Sequence, residues 1–128
     1  MLKTFILALL TLALCPALHA STLDGNELLK SCRQYDKPES AASAPDDTLS
    51  LGFCLGYVAG VTNALFAEQA TGNNKGGGVH ACFPQDGITN NQAALIVIKW
   101  LKDNPGMLHL PAGALVMWAL EQDFPCKK

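Results

Sequence analysis

The sequence has little charge, few basic residues and none of the pattern that marks strands. Only 16% of its 128 residues are charged, and nine basic residues stand against eleven acidic ones, for a net charge of −2. A nucleic-acid-binding domain shows a basic patch or stripe, so we expect no nucleic-acid partner. Period-two alternation of polar and apolar residues is missing, and so is any repeat, which points to a helical protein.

Motifs for catalysis and metal binding are missing as well. The sequence contains no G-x-S-x-G, no H-E-x-x-H and no C-x-x-C. His80 and His109 have no evident nucleophile beside them, and His80 with Cys82 is one close pair of metal-ligand types. We therefore expect no catalytic residue, no enzyme activity, no cofactor and no metal site. Zinc is kept as the weaker alternative to disulfides.

Residues 1–20 have the layout of a secretory signal peptide. Lys3 gives a positive start, an apolar run follows, and Ala20 is a small residue at the expected cleavage site. Cleavage there leaves residues 21–128 as a single domain. The apolar run is too short to span a bilayer, so we expect an exported protein with no membrane anchor after cleavage. A lipoprotein cut before Cys15 is the alternative, which the bulky residue before it disfavours.

Four segments combine helical spacing of apolar residues with start and stop signals. The predicted helices cover 23–35, 48–69, 89–102 and 111–124. Asp24 is the expected N-cap of the first helix, and Thr89 with Gln92 forms a capping box at the start of the third. Segments 36–47 and 71–87 read as loops. The pattern predicts an all-α domain, a four-helix bundle built from two helical hairpins.

The second predicted helix is free of charge from Thr48 to Ala67. Gly52, Gly56 and Gly60 recur every four residues and therefore line one side, where they allow a close approach of another helix. A helix this apolar is expected in the core or in a dimer interface. A membrane span is the alternative, and the glycines and polar residues of the helix disfavour it.

Four cysteines remain after the predicted cleavage: Cys32, Cys54, Cys82 and Cys126. An even number in an exported chain indicates two disulfides. The first two cysteines lie at the end of one helix and in the first turns of the next, which are neighbouring positions in an antiparallel hairpin. The last two flank the second hairpin on its outer side. The helix order therefore predicts the bridges Cys32–Cys54 and Cys82–Cys126.

Five blocks of the chain, taken in order, resemble the Rap/Tai family of immunity proteins of bacterial type VI secretion systems. They are GNELLKSC (25–32), CLGYVAGVTNA (54–64), CFPQDGITNNQ (82–92), VIKWLKDNPGMLHLPAGALVMWAL (97–120) and FPC (124–126). The resemblance implies a small helical periplasmic protein that binds a peptidoglycan amidase. It also implies a homodimer that blocks the amidase by inserting a loop into the active-site cleft.

Two segments qualify as the inserted loop. The connection 103–110 is held by flanking prolines and loses little entropy on binding, whereas 72–78 is glycine-rich and more costly to order. We therefore expect Asn104, Met107 and His109 to contact the partner. The alternatives are a general periplasmic binding protein or stress chaperone of the same fold, an enzyme, and a membrane-embedded accessory protein.

Overall fold

The computed structural model describes residues 22–37, 45–72 and 81–126. The predicted signal peptide and its cleavage site lie outside these residues. So do His80 and the larger part of the glycine-rich segment 72–78. All structural statements below concern the described residues.

Four α-helices form the domain. They are α1 (Gly25–Cys32), α2 (Pro45–Thr71), α3 (Asn90–Asp103) and α4 (Ala112–Asp123), with short 3₁₀ turns at Arg33–Asp36 and Pro105–Met107. Across the described ranges there is no strand, only two isolated bridges, Asp24 with Pro111 and Ala81 with Pro125. The prediction of an all-α domain with four helices is confirmed.

The predicted caps set two of the helix starts. The Asp24 carboxylate accepts a hydrogen bond from the Glu27 N–H at 2.9 Å, and the Thr89 hydroxyl accepts one from the Gln92 N–H at 3.1 Å. Each cap satisfies a backbone donor that a helix start leaves without a partner. The starts of α1 and α3 are therefore encoded locally.

Helix α2 begins three residues earlier than predicted, at Pro45. Proline suits the first turn of a helix because its missing N–H needs no partner there. The two acids that follow, Asp46 and Asp47, lie in the first turn, where the helix dipole favours negative charge. Lys37 also pairs with Asp47 at 3.5 Å. The acidic end of the predicted loop is thus helical.

The core lies where the four helices meet, and α2 contacts the other three. The largest fully buried side chains come from every helix: Leu28, Leu101, Leu115, Leu120, Val58, Val97, Val116, Cys32 and Cys54. Their i, i+3 and i+4 spacing gives each helix one apolar stripe that faces the centre. Burial of these stripes is the main stabilising contribution to the fold.

Both predicted disulfides are present. Cys32 is bonded to Cys54 with 5.1 Å between the Cα atoms, and Cys82 to Cys126 with 4.9 Å. The first bridge is fully buried, whereas Cys82 of the second is exposed. The buried bridge fastens α1 to α2 inside the core, and the surface bridge fastens the chain end to the segment that precedes α3.

The second disulfide was expected because the start of α3 and the end of α4 would meet in an antiparallel hairpin. The structure brings its two cysteines together in another way. The Trp100 indole N–H donates to the Gln122 side-chain oxygen at 2.9 Å, so the last turns of α3 and α4 lie side by side. Cys82 reaches Cys126 because the chain before α3 runs back along the end of α4. There the Cys82 N–H donates to the Phe124 carbonyl at 2.7 Å.

The outer face of α2 is open in the monomer. A Cβ atom added at Gly52, Gly56 or Gly60 would meet nothing within 4 Å. Leu49 is 75% exposed and Phe53 45% exposed on the same face. Among the described residues, none therefore makes the close helix approach that the glycines predict. By length and hydropathy α2 is able to cross a membrane, and 22% of its most apolar window is buried in the fold.

Candidate partner-binding surface

The connection between α3 and α4, residues 104–110, is anchored to the start of α1. The Gly25 N–H donates to the Leu110 carbonyl at 3.1 Å, and the Asn26 N–H donates to the Leu108 carbonyl at 3.1 Å. The Asn26 side-chain amide donates to the same Leu108 oxygen, also at 3.1 Å. These three bonds join segments more than eighty positions apart in sequence, so the start of α1 holds the turn in place.

The turn is also closed by its own backbone. Hydrogen bonds run from Met107 N–H to the Asn104 carbonyl at 3.1 Å and from Leu110 N–H to the Met107 carbonyl at 3.0 Å. Pro105 fixes one backbone dihedral. A loop with its bonds already made loses little conformational entropy when a partner binds it. The connection is therefore a rigid projection rather than a loose loop.

Gly25 is the residue that lets α1 approach the turn. A Cβ atom at this position would lie 2.9 Å from the Leu108 carbonyl oxygen and 3.0 Å from the Leu108 Cα. It would also press on the side chain of Leu115, which is fully buried. Only glycine allows the observed contact between the helix start and the turn.

The three predicted contact residues differ in their placement. The Asn104 side chain donates to the Trp100 carbonyl at 2.8 Å and so caps the end of α3. Met107 is half-buried and packs against the core. Of the three, only His109 is exposed. Pro105 and Gly106 are the other exposed residues of the turn. The sequence analysis did not select them, although a Pro-Gly pair marks a tight, exposed turn.

The competing segment, 72–78, is described only at its first residue. Gly72 ends α2 with a positive φ of 66°, a conformation that glycine adopts without steric cost. Phe83, in the segment before α3, is bonded to α2: its N–H and carbonyl bond to the Gln69 side chain at 2.8 and 2.9 Å. The Gln69 side chain thus satisfies both backbone polar groups of Phe83, as the backbone of a neighbouring segment would. It holds the segment before α3 against the end of α2.

A second surface feature lies beside the turn, between the last turns of α3 and α4. It is a groove of about 230 Å³ whose lining includes Leu95, Trp100 and Gln122 together with Asp103 and Asp123. We call it the α3–α4 groove. Leu95 is 51% exposed, so apolar surface is in contact with water at its edge. The sequence analysis did not select this groove, because no local pattern shows that the two helix ends meet.

Charge in the α3–α4 groove is dominated by Lys99 and its two acidic neighbours. The Lys99 ammonium bonds to the Asp103 carboxylate one helical turn away. This hydrogen bond, with the charge of Asp103 and then that of Asp123, raises the pKa of Lys99 above its ordinary value of 10.5. Because the ammonium is fully exposed to solvent, the ion pair is not expected to contribute to the free energy of folding.

Chemistry of the catalytic or metal-bound kind has no visible basis in the part of the chain that the structure describes. No cluster of three or more His, Cys, Asp or Glu suited to a metal ion occurs there. Both described cysteine pairs are oxidised, so Cys82 supplies no thiolate for the zinc alternative. What the described surface offers is a rigid turn and an adjoining groove, which are features suited to binding.

Comparison with known proteins gives one family. No curated protein matches the chain. Residues 24–126, which contain all four helices, both disulfides and the anchored turn, match the Rap1a immunity proteins. An immunity protein of this kind binds a toxin and blocks it. The matched region covers most of the sequence, and the chain therefore belongs to the Rap1a immunity protein family.

Proposed function

We propose that this protein is a periplasmic immunity protein that binds a peptidoglycan amidase delivered by a type VI secretion system. In this proposal the turn 104–110 enters the active-site cleft of the amidase and excludes substrate. The observation that carries the proposal is the anchored turn, because occlusion needs a projecting segment on a rigid base. A preorganised segment keeps more of its contact energy as affinity than one that must first be ordered.

Export to the periplasm is supported by two independent features of the chain. Residues 1–20 have the three-part pattern of a signal peptide. The two disulfides suit an oxidising compartment, since thiols of cytosolic proteins are kept reduced. The periplasm is also where a cell-wall amidase would act, so inhibitor and target share a compartment in this proposal.

The contacts of the turn are expected to be the exposed His109, with Pro105 and Gly106 beside it. Asn104 and Met107, the other two predicted contact residues, support the turn by capping α3 and by packing on the core. Met107 is half-buried, so part of its side chain is still open to a partner. The acidic net charge of the protein would speed association with a basic enzyme.

A homodimer built on α2 belongs to the proposal. The face around Gly56 carries no charge, and its glycines are symmetric about that residue, with Gly52 and Gly60 at equal distances along the helix. Two antiparallel copies of α2 that cross at Gly56 would therefore place Gly52 of each copy against Gly60 of the other. Twofold pairing of one face with itself is the commonest form of protein assembly.

Co-expression with the amidase encoded by a neighbouring gene tests the function. The native protein should form a stable complex, inhibit peptidoglycan cleavage and protect cells that receive the amidase in the periplasm. Replacing Gly106 with Leu and His109 with Ala should abolish inhibition, because both positions are exposed on the turn. Deleting residues 73–78 should leave inhibition intact. Loss of inhibition only in the deletion variant would assign the cleft contact to the other loop.

Two glycine variants separate dimerisation from inhibition. A side chain at Gly56 or Gly106 meets open space within the monomer, so Gly56→Leu and Gly106→Leu should both fold. We expect Gly56→Leu to be monomeric by light scattering at micromolar concentration, and Gly106→Leu to stay dimeric. A native protein that is monomeric under the same conditions contradicts the dimer.

The exposed apolar side chains give the general-binding alternative a specific basis. Leu49 is 75% exposed and Leu95 51% exposed, and a periplasmic chaperone binds unfolded proteins through such surface. Suppression of aggregation of a reduced, unfolded client protein would support that function. We expect no suppression at equimolar ratio. A chain that suppresses aggregation and binds no amidase is a chaperone-like protein with an immunity-protein fold.

A further inference from the structure

The α3–α4 groove has the size of a site for one side chain. Its volume is about 230 Å³, below the range of about 300–1,000 Å³ that is usual for small-molecule pockets. Leu95, Ile96 and Trp100 of α3 contribute the apolar part of its lining and so form an apolar wall. Trp100 already donates its N–H to Gln122, so this wall presents no unsatisfied donor. An aliphatic chain fits such a surface.

The rim of the groove has the opposite character. Asp103 from α3 and Asp123 from α4 both line it, and Lys99 is the only basic residue in the lining. Within this lining, two carboxylates and one ammonium give a net charge of −1. Lys99 is itself a cation held by these carboxylates, since it bonds to Asp103 and responds to the charge of Asp123. The groove thus already favours a cation at its rim.

We propose that the α3–α4 groove receives an arginine side chain of the partner protein. The aliphatic part of the arginine lies along Leu95 and Ile96, and its guanidinium group bridges the carboxylates of Asp103 and Asp123. This assignment rests on the proposed function, because it specifies how a protein partner is recognised. It adds a charged anchor to the contact made by the turn.

Arginine fits this lining better than lysine does. Its guanidinium presents donors in a planar fork and bonds two carboxylate oxygens at once, whereas an ammonium is a compact point charge. Long basic side chains also pack their carbon stems on apolar surface while the charged end stays in water. The lining of the groove includes Asp103, the residue directly before the turn. A partner seated over the turn is therefore within reach of it.

The test uses the purified, isotope-labelled protein with N-acetyl-arginine N-methylamide as the probe, followed by NMR at millimolar concentrations. The Trp100 indole signal and the amide signals of 95–103 should shift saturably, while those of α1 stay in place. The control probe is the citrulline analogue, which has nearly the same shape without the charge. Equal shifts with citrulline, or no saturable shift with arginine, would overturn the proposal.

Three variants locate the charge that matters. Asp123→Asn should weaken arginine binding about two- to fivefold, as expected for one exposed ion pair. Lys99→Met should strengthen it by a similar factor, because a competing cation is removed. Glu121→Gln makes the same charge change on α4 outside the groove and should leave binding unchanged. Equal weakening by Glu121→Gln and Asp123→Asn would mean that only overall charge attracts the probe, and would refute the site.

The probe experiment contains no amidase, so its outcome is independent of the protection assay. A protein that protects cells but does not bind arginine keeps its proposed function and loses the groove assignment. A protein that binds the probe at the groove but no amidase keeps an arginine site and loses the partner proposed for it. The two failures are therefore distinguishable.

Discussion

Replacing Gly25 with alanine should loosen the base of the turn without changing its exposed surface. The added Cβ would approach the Leu108 carbonyl oxygen to 2.9 Å, closer than side-chain carbons pack. The side chain of Leu115 on the other side is fully buried and has little space to move. The backbone of the turn must therefore shift away from α1.

The size of the effect follows from what the shift disturbs. Overpacking a well-packed site costs about 1–3 kcal/mol. The displaced turn weakens the bonds from Gly25 to Leu110 and from Asn26 to Leu108, each with a net value of about 1 kcal/mol. Alanine regains up to about 1 kcal/mol through its helix propensity. We expect Gly25→Ala to lower the free energy of unfolding by about 1–3 kcal/mol.

Thermal unfolding followed by circular dichroism measures this change. A loss of 1 kcal/mol lowers the melting temperature of a domain this small by about 4–8 °C. Gly106→Ala is the matched control, because a Cβ atom added there meets nothing within 4 Å and should change the free energy of unfolding by less than about 0.5 kcal/mol. A Gly25→Ala protein as stable as the native one would refute the argument that glycine is needed for the contact.

Two further substitutions test contacts that hold the helices together. Gln69→Ala should cost about 1–3 kcal/mol, because it leaves the N–H and carbonyl of the buried Phe83 without their partner; Glu68→Ala, its neighbour, should stay within about 0.5 kcal/mol in the same urea titration. Tyr35→Phe removes the hydroxyl that donates to the Asn91 side chain at 2.7 Å and should cost about 1 kcal/mol near neutral pH. Burial raises the pKa of Tyr35 above 10.0, so the stability gained from the neutral phenol is complete below pH 10 and is lost as the pH rises through the folded-state pKa. If the free energies of unfolding of the native and Tyr35→Phe proteins differed by the same amount at every pH from neutral to above pH 10, this linkage would be contradicted.

Local signals in the sequence were sufficient for the helices and for the first disulfide. Asp24 and Thr89 cap as predicted because the geometry of a cap depends on residues three positions apart. Cys82 and Cys126 are also paired as predicted, but the path of the chain that brings them together was not foreseen from helix order. The start of α2 was predicted at Thr48 and lies at Pro45, since the acidic residues before it are compatible with both a loop and a first helical turn.

The surface could be predicted only in part, because it depends on how distant elements meet. The turn 104–110 was selected from its prolines and short length, and its rigidity comes from the start of α1, which no local pattern links to it. Asn104 was selected as a contact, yet its side chain caps α3. The α3–α4 groove exists because the ends of α3 and α4 meet, and this meeting depends on how the core packs rather than on either helix alone.

The disulfide connectivity has a consequence for how the chain matures. Cys32 bonds to Cys54 and Cys82 to Cys126, so the two bridges follow one another along the chain and do not interleave. In the export that we propose, the chain would emerge from the membrane N-terminus first, and Cys32 and Cys54 would both have emerged before Cys82 or Cys126. An oxidant that joins thiols in order of arrival makes the native bridges of the domain directly. Its maturation therefore has no need of an isomerase to reshuffle these two bonds.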